Sequence, residues 1–259
     1  MVHKRTSRVM RPHAGQKVLM DVIANPRPPD GHVLILLDMS AALEFCHQYR
    51  RQQKVPLAIL HLLIRASALM IKHYPTLNYM LDGYKIVIPD SIDIGVSVAG
   101  EESVTPVVVI PYADKKSLPE IVEEFNQKKR QAIAEERQIL ERVRKLTCWL
   151  PGNLLRRQII NFLAKRHFIR KRLIGTFQIT SLNADDVELF LVNHLGTTAN
   201  ISTGGVVKRP VVIGDRVEIR PTSYISFQAD TRVIVARDNL MAGRLFKWYM
   251  EHPSELEKT

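Results

Sequence analysis

The sequence is poor in cysteine, and its cysteines form no recognisable metal or redox motif. Only two occur among 259 residues, Cys46 and Cys148. They lie about 100 positions apart, whereas zinc and dithiol motifs need pairs separated by only a few residues. We expect two reduced thiols, as in a cytosolic protein, with a single disulfide as the alternative.

Long apolar runs and targeting signals are also absent. The longest apolar run, residues 55–71, is interrupted by His61 and Arg65, so we expect a buried helix rather than a membrane span. The basic N-terminus has no apolar segment behind it, which argues against a secretory signal. It carries no acidic residue before Asp21, as an organelle transit segment would, but its amphipathic pattern is weak. We expect a cytoplasmic protein.

Negative charge is scarce in one segment. The chain has a net charge of +11, and residues 135–175 hold eleven Lys or Arg against three Glu, a local balance of +8. Most of the excess charge therefore belongs to this segment. Aromatic residues do not alternate with these cations, and no nucleic-acid motif is present, so we do not expect nucleic-acid binding.

The hydrophobic pattern predicts one mixed α/β domain. Residues 1–30 are polar, contain four prolines and read as an extended arm, so the domain covers residues 31–259. A basic helical hairpin is expected as an insertion at about 135–174. The spacing of apolar residues predicts helices at about 40–51, 57–73, 117–146, 154–170 and 238–251. It predicts strands at 33–37, 84–88, 92–99, 104–110, 176–180, 187–192, 201–207, 216–220 and 223–229.

The C-terminal forty residues contain a recognisable sequence motif. Asp230-Thr231-Arg232 is followed by Val235-Ala236, then by a helix with small residues, and then by Glu251-His252-Pro253. This pattern resembles the catalytic domain of the dihydrolipoyl acyltransferases, the core subunits of 2-oxoacid dehydrogenase complexes. That family has Asp-His-Arg-x-x-Asp-Gly and a terminal Glu-x-Pro at the same spacing.

Shorter blocks resemble the same family in the same order. Before the site they are Pro75-Thr76-Leu77-Asn78, the strand around Ile94 to Val98, and Ala113-Asp114-Lys115-Lys116-Ser117-Leu118. Closer to the site they are Gly175-Thr176-Phe177 and Arg209-Pro210-Val211-Val212. The resemblance implies a chloramphenicol acetyltransferase-like fold, a two-layer sandwich of mixed sheet and helices. It also implies a homotrimer with active-site channels between neighbouring subunits, and leaves higher assembly open.

The resemblance places the family's catalytic histidine at Thr231, its aspartate at Val235 and its glycine at Ala236. Acyl transfer from coenzyme A needs a base near neutral pH, and a threonine hydroxyl is not one. Thr180 stands at the position of the hydroxyl donor that stabilises the oxyanion. We expect Thr180, Ser181, Asn183 and Thr231 to line the substrate channel. His194 is the first candidate for a substitute base, ahead of His32, His61 and His73.

Two functions therefore remain open. The first is a non-catalytic or rebuilt oligomeric binding or assembly protein. The second is an active coenzyme A-dependent acyltransferase with a relocated base. The sequence has no Asp-Lys-Ala lipoyl-lysine motif, so we expect a lipoyl substrate only on another protein, no covalent cofactor and no metal site.

The role of the basic segment is also open to more than one interpretation. Its cations surround an apolar helical stripe, which packs on the body of the protein or on a sister hairpin, or else binds an anionic membrane surface. Docking to an acidic protein is a further reading. The predicted basic surface consists of Arg156, Arg157, Lys165, Arg166, Arg170, Lys171 and Arg172.

Overall fold

A mixed β-sheet with helices against one face forms the centre of the protein. The structure is a computed structural model that describes residues 30–98, 106–149, 158, 166–181, 187–192 and 196–258, with side chains of the long helix described to residue 135. Its strands are β1 (Asp30–Asp38), β2 (Met80–Asp82), β3 (Lys85–Val87), β4 (Ile94–Ser97), β5 (Val107–Ile110), β6 (Phe177–Ser181), β7 (Ala199–Thr203), β8 (Val207–Ile213) and β9 (Arg216–Asp230). Its helices are α1 (Ser40–Gln53), α2 (Ile59–His73), α3 (Leu118–Trp149), α4 (His167–Ile174) and α5 (Ala236–Glu251).

The sheet pairs a strand from early in the chain, β1, with one from late in the chain, β9. Its order in the described residues is β1-β9-β7-β6-β4-β5, with β8 paired to the first half of β9 and a separate β2–β3 hairpin. β6 is parallel to both β4 and β7, whereas β1 and β9 are antiparallel with Asp30 opposite Asp230. The predicted α/β fold class with a mixed sheet is confirmed.

The two faces of the sheet differ in polarity because side chains alternate along each strand. Phe177, Ile179, Ile201, Ile225 and Phe227 lie on one face and are almost fully buried in the main core with helices α2 and α5. The opposite face carries polar side chains in register, among them Gln178, Asn200 and Gln228. The apolar face holds the domain together, and these polar side chains of the opposite face are buried as well, at 8% exposure or less.

Helix α2 is buried almost all around and contains a buried arginine. Arg65 is 1% exposed, and its guanidinium donates to the backbone carbonyls of Leu256 at 3.2 Å and Asp114 at 2.9 Å. These bonds tie the C-terminal segment to the turn before α3. Burial lowers the pKa of Arg65, and the carbonyl oxygens compensate for the lost hydration of its charge. Among the described residues, no helix is both long and apolar enough to cross a bilayer.

Most of the predicted elements are present with shifted ends, but several differ, among them β2, which was not predicted. The strands predicted at 216–220 and 223–229 are one continuous strand, β9. Residues 187–192 were expected to form a strand, but they form no ladder. Instead they cross the polar face of the sheet, where the carbonyl of Val192 accepts from the Asn200 side chain at 3.0 Å. β8 was not predicted.

The long helix begins as predicted. The Glu120 carboxylate accepts from both the backbone N–H and the hydroxyl of Ser117 at 2.7 Å, which fixes the first turn of α3. The helix predicted at about 154–170 differs where it is described: Arg166 is extended, and a separate helix, α4, runs from His167 to Ile174, where Gly175 adopts a left-handed φ of 79°. A side chain on Gly175 would also collide with the Asp93 carbonyl, so only glycine fits between α4 and β6.

Candidate functional site

The turn between β9 and α5 holds the position where the family's histidine is expected. β9 ends at Asp230, Thr231 is exposed in the turn that follows, and α5 begins at Ala236. The backbone N–H of Ile234 donates to the Asp230 carbonyl at 2.9 Å and closes the turn. Thr231 therefore lies at the surface on a defined backbone, next to the N-terminus of a helix.

An ion pair fixes the start of this turn. Arg232 donates from Nε at 3.0 Å and from Nη2 at 2.6 Å to the two carboxylate oxygens of Asp230, and its backbone N–H also donates to Oδ1. These bonds and the nearby negative charge raise the pKa of Arg232. Asp230 is buried, so a bidentate pair is the arrangement that satisfies it best. The frame around the turn is intact although the histidine is not there.

The position of the family's aspartate offers no polar group. Val235 precedes the first turn of α5 and is exposed, and Ala236 begins the helix. The carboxylate nearest in sequence, Asp238, accepts from the Thr76 hydroxyl at 3.0 Å. That contact anchors α5 to the segment after α2, so Asp238 has a structural partner already.

Thr180 and Ser181, two of the other predicted channel residues, lie toward the opposite end of the sheet. Thr180 is in register with Ser202 on β7, which is in register with Ser226 on β9, and its hydroxyl lies 3.4 Å from that of Ser97. Thr231 is two strands away and five residues further along β9. With ordinary strand spacing and rise, Thr180 and Thr231 are on the order of 20 Å apart within one chain. One protomer alone does not bring them together.

The histidines fall into different environments. His194, the first candidate for a substitute base, and Asn183, a predicted channel residue, lie outside the described residues. His61 is buried: its Nδ1 accepts from the backbone N–H of Ala58 at 2.9 Å, and its ring packs edge-on against Phe125. Burial, helped by the charge of Lys129, lowers the pKa of His61 to about 4, so it has a structural role. His73 is exposed at the end of α2.

His32 is the described histidine whose strand lies beside the candidate turn. It was expected on or beside a buried element, but it is exposed on β1, opposite Gln228. Its neighbour Gly31 lies against the candidate turn, because a Cβ placed on Gly31 would be 3.2 Å from Cγ2 of Thr231. The sequence around Gly31 does not indicate that it lies close to Thr231. This proximity arises from the pairing of β1 with β9, about 200 residues later in the chain.

Part of the predicted basic surface contacts the body of the protein. Arg170 donates to the carbonyl of Gly196 at 2.5 Å and to that of Leu81, and Lys171 pairs with Asp90. The adjacent His167 pairs with Asp82, with Nδ1 2.7 Å from Oδ2. Arg170 and Lys171 thus hold α4 against the β2–β3 hairpin. Arg166 and Arg172 are exposed, whereas Arg156, Arg157 and Lys165 lie outside the described residues.

No cluster in the described part of the chain suits a metal ion, because no three His, Cys, Asp or Glu side chains come together there. Cys46 is buried on α1, and burial raises the pKa of its thiol to about 11. A thiol held protonated in this way is a poor nucleophile or ligand. The chemistry available at the described site is therefore that of hydroxyl, amide, imidazole and guanidinium groups.

Comparison with known proteins shows what the domain is similar to. The family model for the 2-oxoacid dehydrogenases acyltransferase catalytic domain matches residues 28–141. This match ends before the candidate turn at Thr231. It confirms the resemblance to the dihydrolipoyl acyltransferase catalytic domain that the sequence motifs indicate.

Curated relatives extend the similarity through most of the chain. A mitochondrial dihydrolipoyllysine-residue succinyltransferase component of the 2-oxoglutarate dehydrogenase complex from Arabidopsis thaliana is 24% identical over 224 residues. The corresponding component from Rickettsia typhi is 26% identical over 227 residues. Each alignment covers 85% of this chain but only 42% and 49% of the relatives. The chain spans about half the length of the curated relatives it matches.

Solved structures share the fold. A truncated catalytic core of the 2-oxoacid dehydrogenase multienzyme complex from Thermoplasma acidophilum superposes with a TM-score of 0.70 at 18% identity, covering 95% of this chain and 99% of that one. Azotobacter vinelandii dihydrolipoamide acetyltransferase superposes with a TM-score of 0.66 at 19% identity, covering 98% and 96%. The latter was studied for the catalytic roles of a serine, a histidine and an asparagine, the last two being four positions apart.

Proposed function

We propose that this protein is an oligomeric member of the acyltransferase fold that acts in binding or assembly and does not transfer acyl groups by the histidine mechanism. The observation that carries the proposal is the β9–α5 turn. Its frame is built by Asp230 and Arg232, yet the residue it presents is Thr231. A hydroxyl does not accept a proton near neutral pH, and loss of a general base costs about 10² to 10⁴ in rate.

The second polar position of the site supports the same conclusion. In the Azotobacter vinelandii protein, a histidine and an asparagine four positions apart were studied for their catalytic roles. The pair at that spacing in this chain is Thr231 and Val235, and the exposed valine has no group that could orient a base. The imidazole and the polar side chain four residues later are both absent from these two positions, which supports the proposal of a rebuilt site.

The wide separation of Thr180 and Thr231 within one chain supports the oligomeric part of the proposal. A channel that uses both ends of the sheet has to be built from two copies, and the resemblance implies that the copies form a homotrimer. A lipoyl group on another protein and coenzyme A are the ligand classes for such a channel. We place the protein in the cytoplasm.

The test is acyl transfer from acetyl- or succinyl-coenzyme A to dihydrolipoamide, followed by chromatography of released coenzyme A. In that reaction the thiol of dihydrolipoamide takes the acyl group and coenzyme A leaves as a thiol. We expect the wild-type protein to release no more than a heat-treated control. Release well above that control would contradict the proposal.

A pair of variants tests whether the base is the missing element. Thr231→His combined with Val235→Asp restores an imidazole and a carboxylate at the family's spacing. Thr231→Asn combined with Val235→Asp is the matched control, because an amide does not accept a proton. We expect about 10² to 10⁴ times more transfer from the histidine variant than from the asparagine variant. Equal rates would show that the base is not what the site lacks.

An active acyltransferase with a relocated base is the second candidate, and His32 is tested first because it is an exposed imidazole on β1. Side chains alternate along β1, so its ring lies on the opposite face from the Cβ direction of Gly31, which meets Thr231. If the wild-type protein transfers acyl groups, His32→Gln should abolish the transfer while His73→Gln, at another exposed histidine, should leave it unchanged. Transfer by the His32→Gln variant would remove this candidate and leave His194 as the next to test.

A further inference from the structure

Helix α4 turns its polar face toward the protein and its apolar face toward solvent. The side chains of His167, Arg170 and Lys171 contact the body through ion pairs and hydrogen bonds. On the other side of the helix, Phe168 and Leu173 are 61% and 63% exposed. An ordinary surface helix has the reverse arrangement, with its apolar side chains against the core. The outer face of α4 therefore resembles a buried face that the described residues leave uncovered.

The β2–β3 hairpin beside α4 also exposes apolar side chains. Ile86 on β3 and Ile88 just after it are 53% and 69% exposed, and Tyr84 in the turn is fully exposed. Side chains alternate along a strand, so Ile86 lies on the face opposite to Met80, which is buried. The hairpin thus packs one face on the body and presents the other, apolar face to solvent.

Ion pairs hold the two apolar groups at one end of the molecule. Asp82 on β2 pairs with His167 at 2.7 Å, and Asp90, shortly after β3, pairs with Lys171. Without counting Tyr84, the four apolar side chains expose on the order of 400 Å², comparable with the largest apolar patches on soluble monomers, which often mark interaction sites. A single partner surface can therefore meet both elements.

The chain around α4 supplies positive charge without acidic residues. Residues 142–184 contain ten Lys or Arg and no Asp or Glu. Among the described residues of this segment, Arg172 is exposed on α4 and Arg166 is exposed just before it. The two acids of the hairpin segment, Asp82 and Asp90, pair with α4 itself. Apolar side chains flanked by exposed cations complement the boundary of an acidic lipid bilayer, which is anionic outside and apolar beneath.

We infer that α4 and the β2–β3 hairpin bind the surface of an anionic lipid bilayer. The apolar side chains of both elements enter the headgroup region, and Arg166 and Arg172 contact the lipid phosphates. The protein lies on the bilayer in this arrangement, because no helix in the described part of the chain is long and apolar enough to cross it. The inference concerns where the protein acts and does not depend on whether it transfers acyl groups.

Sedimentation with lipid vesicles tests the inference. We expect the wild-type protein to bind vesicles of equal parts phosphatidylcholine and phosphatidylserine, less tightly as salt rises, and to bind phosphatidylcholine alone only weakly. Phe168→Ser combined with Leu173→Ser should lower the partition into the mixed vesicles at least about tenfold, with an unchanged circular dichroism spectrum. Leu34→Ser combined with Leu43→Ser, at two exposed leucines on β1 and α1, is the matched control and should bind like the wild type.

Two further variants separate the contributions of charge and position. Arg166→Gln combined with Arg172→Gln leaves the apolar face intact, and it should weaken binding about tenfold or more and reduce the salt dependence. Tyr84→Trp places a fluorescent reporter at the hairpin turn, and its emission should shift to shorter wavelength when mixed vesicles are added. Leu34→Trp, on β1, should show no such shift.

Four outcomes decide the inference. A wild type that does not bind the mixed vesicles, or that binds both kinds of vesicle equally, would overturn it. Binding that survives the serine and the glutamine substitutions would also overturn it, because the attraction would then come from another part of the chain. If Phe168→Ser with Leu173→Ser dissociates an oligomer in sedimentation velocity, a second copy covers this face and the inference is wrong. Acyl transfer by the wild type would contradict the proposed function alone.

Discussion

His61 should make the protein sensitive to acid. The imidazole is 4% exposed, its Nδ1 accepts from the Ala58 backbone, and its pKa falls from an ordinary 6.5 to about 4. Below pH 6.5 the unfolded chain gains a proton here that the folded chain does not. Stability is therefore complete above pH 6.5 and declines as the pH falls toward 4. The full shift corresponds to about 3 kcal/mol, and most of this should already be lost at pH 4.5.

Urea unfolding at pH 7.5 and pH 4.5 measures this loss. His61→Asn is the informative variant, because its side-chain oxygen can replace Nδ1 as the acceptor but does not titrate in this range. We expect the wild-type protein to lose about 2 to 3 kcal/mol more than the variant between the two pH values. Other histidines and the carboxylates contribute equally to both proteins and cancel. The same loss in both would refute the assignment of the acid sensitivity to His61.

Three further outcomes follow from buried groups. Arg65→Met should lower the free energy of unfolding by about 3 to 5 kcal/mol, because it leaves buried carbonyls without donors, whereas Arg51→Met on the exposed end of α1 should change it by less than about 0.5 kcal/mol. In a Cys148→Ser background, Cys46 should react with a disulfide reagent at pH 8 only after urea is added, and rapid reaction of the folded protein would contradict its raised pKa. Gly95→Ala would place a Cβ 1.9 Å from the Ile174 carbonyl and should destabilise the protein by about 2 kcal/mol or more, unlike Gly31→Ala, whose Cβ meets only the Thr231 side chain. Thermal unfolding of the two glycine variants distinguishes them.

The sequence predicted what local pattern determines. Helix α2 was expected from its apolar run and α3 from its capping residues, and both begin within a few residues of those positions. β8 was missed because Pro210 argues against a strand, yet β8 is bonded on one side only, where a missing N–H is tolerated. β9 was divided because Pro221 interrupts its pattern. Edge position in a sheet is a tertiary property that local pattern does not contain.

The candidate site, too, was predictable only where local sequence determines it. The prediction that Thr231 stands at the family's histidine position rests on its spacing to Pro253, because the turn and the helix between them are continuous in sequence. The proximity of Gly31, the neighbour of His32, to Thr231 could not be predicted, because it depends on the pairing of Gly31 with Ala229. The distance between Thr180 and Thr231 likewise depends on two ladders between strands. Motif spacing therefore located each residue along the chain but not which residues meet.

The pairing of β1 with β9 sets the order in which the chain can fold during synthesis. β1 begins at Asp30 and its partner residues are 222–230, so it lacks its partner until the ribosome has made almost the whole domain. In that interval its apolar residues Val33, Ile35 and Leu37 have no sheet to join. Contacts so distant in sequence fold slowly and leave strands open to aggregation. A nascent chain stopped before residue 222 should therefore depend on chaperones, whereas the released protein should not.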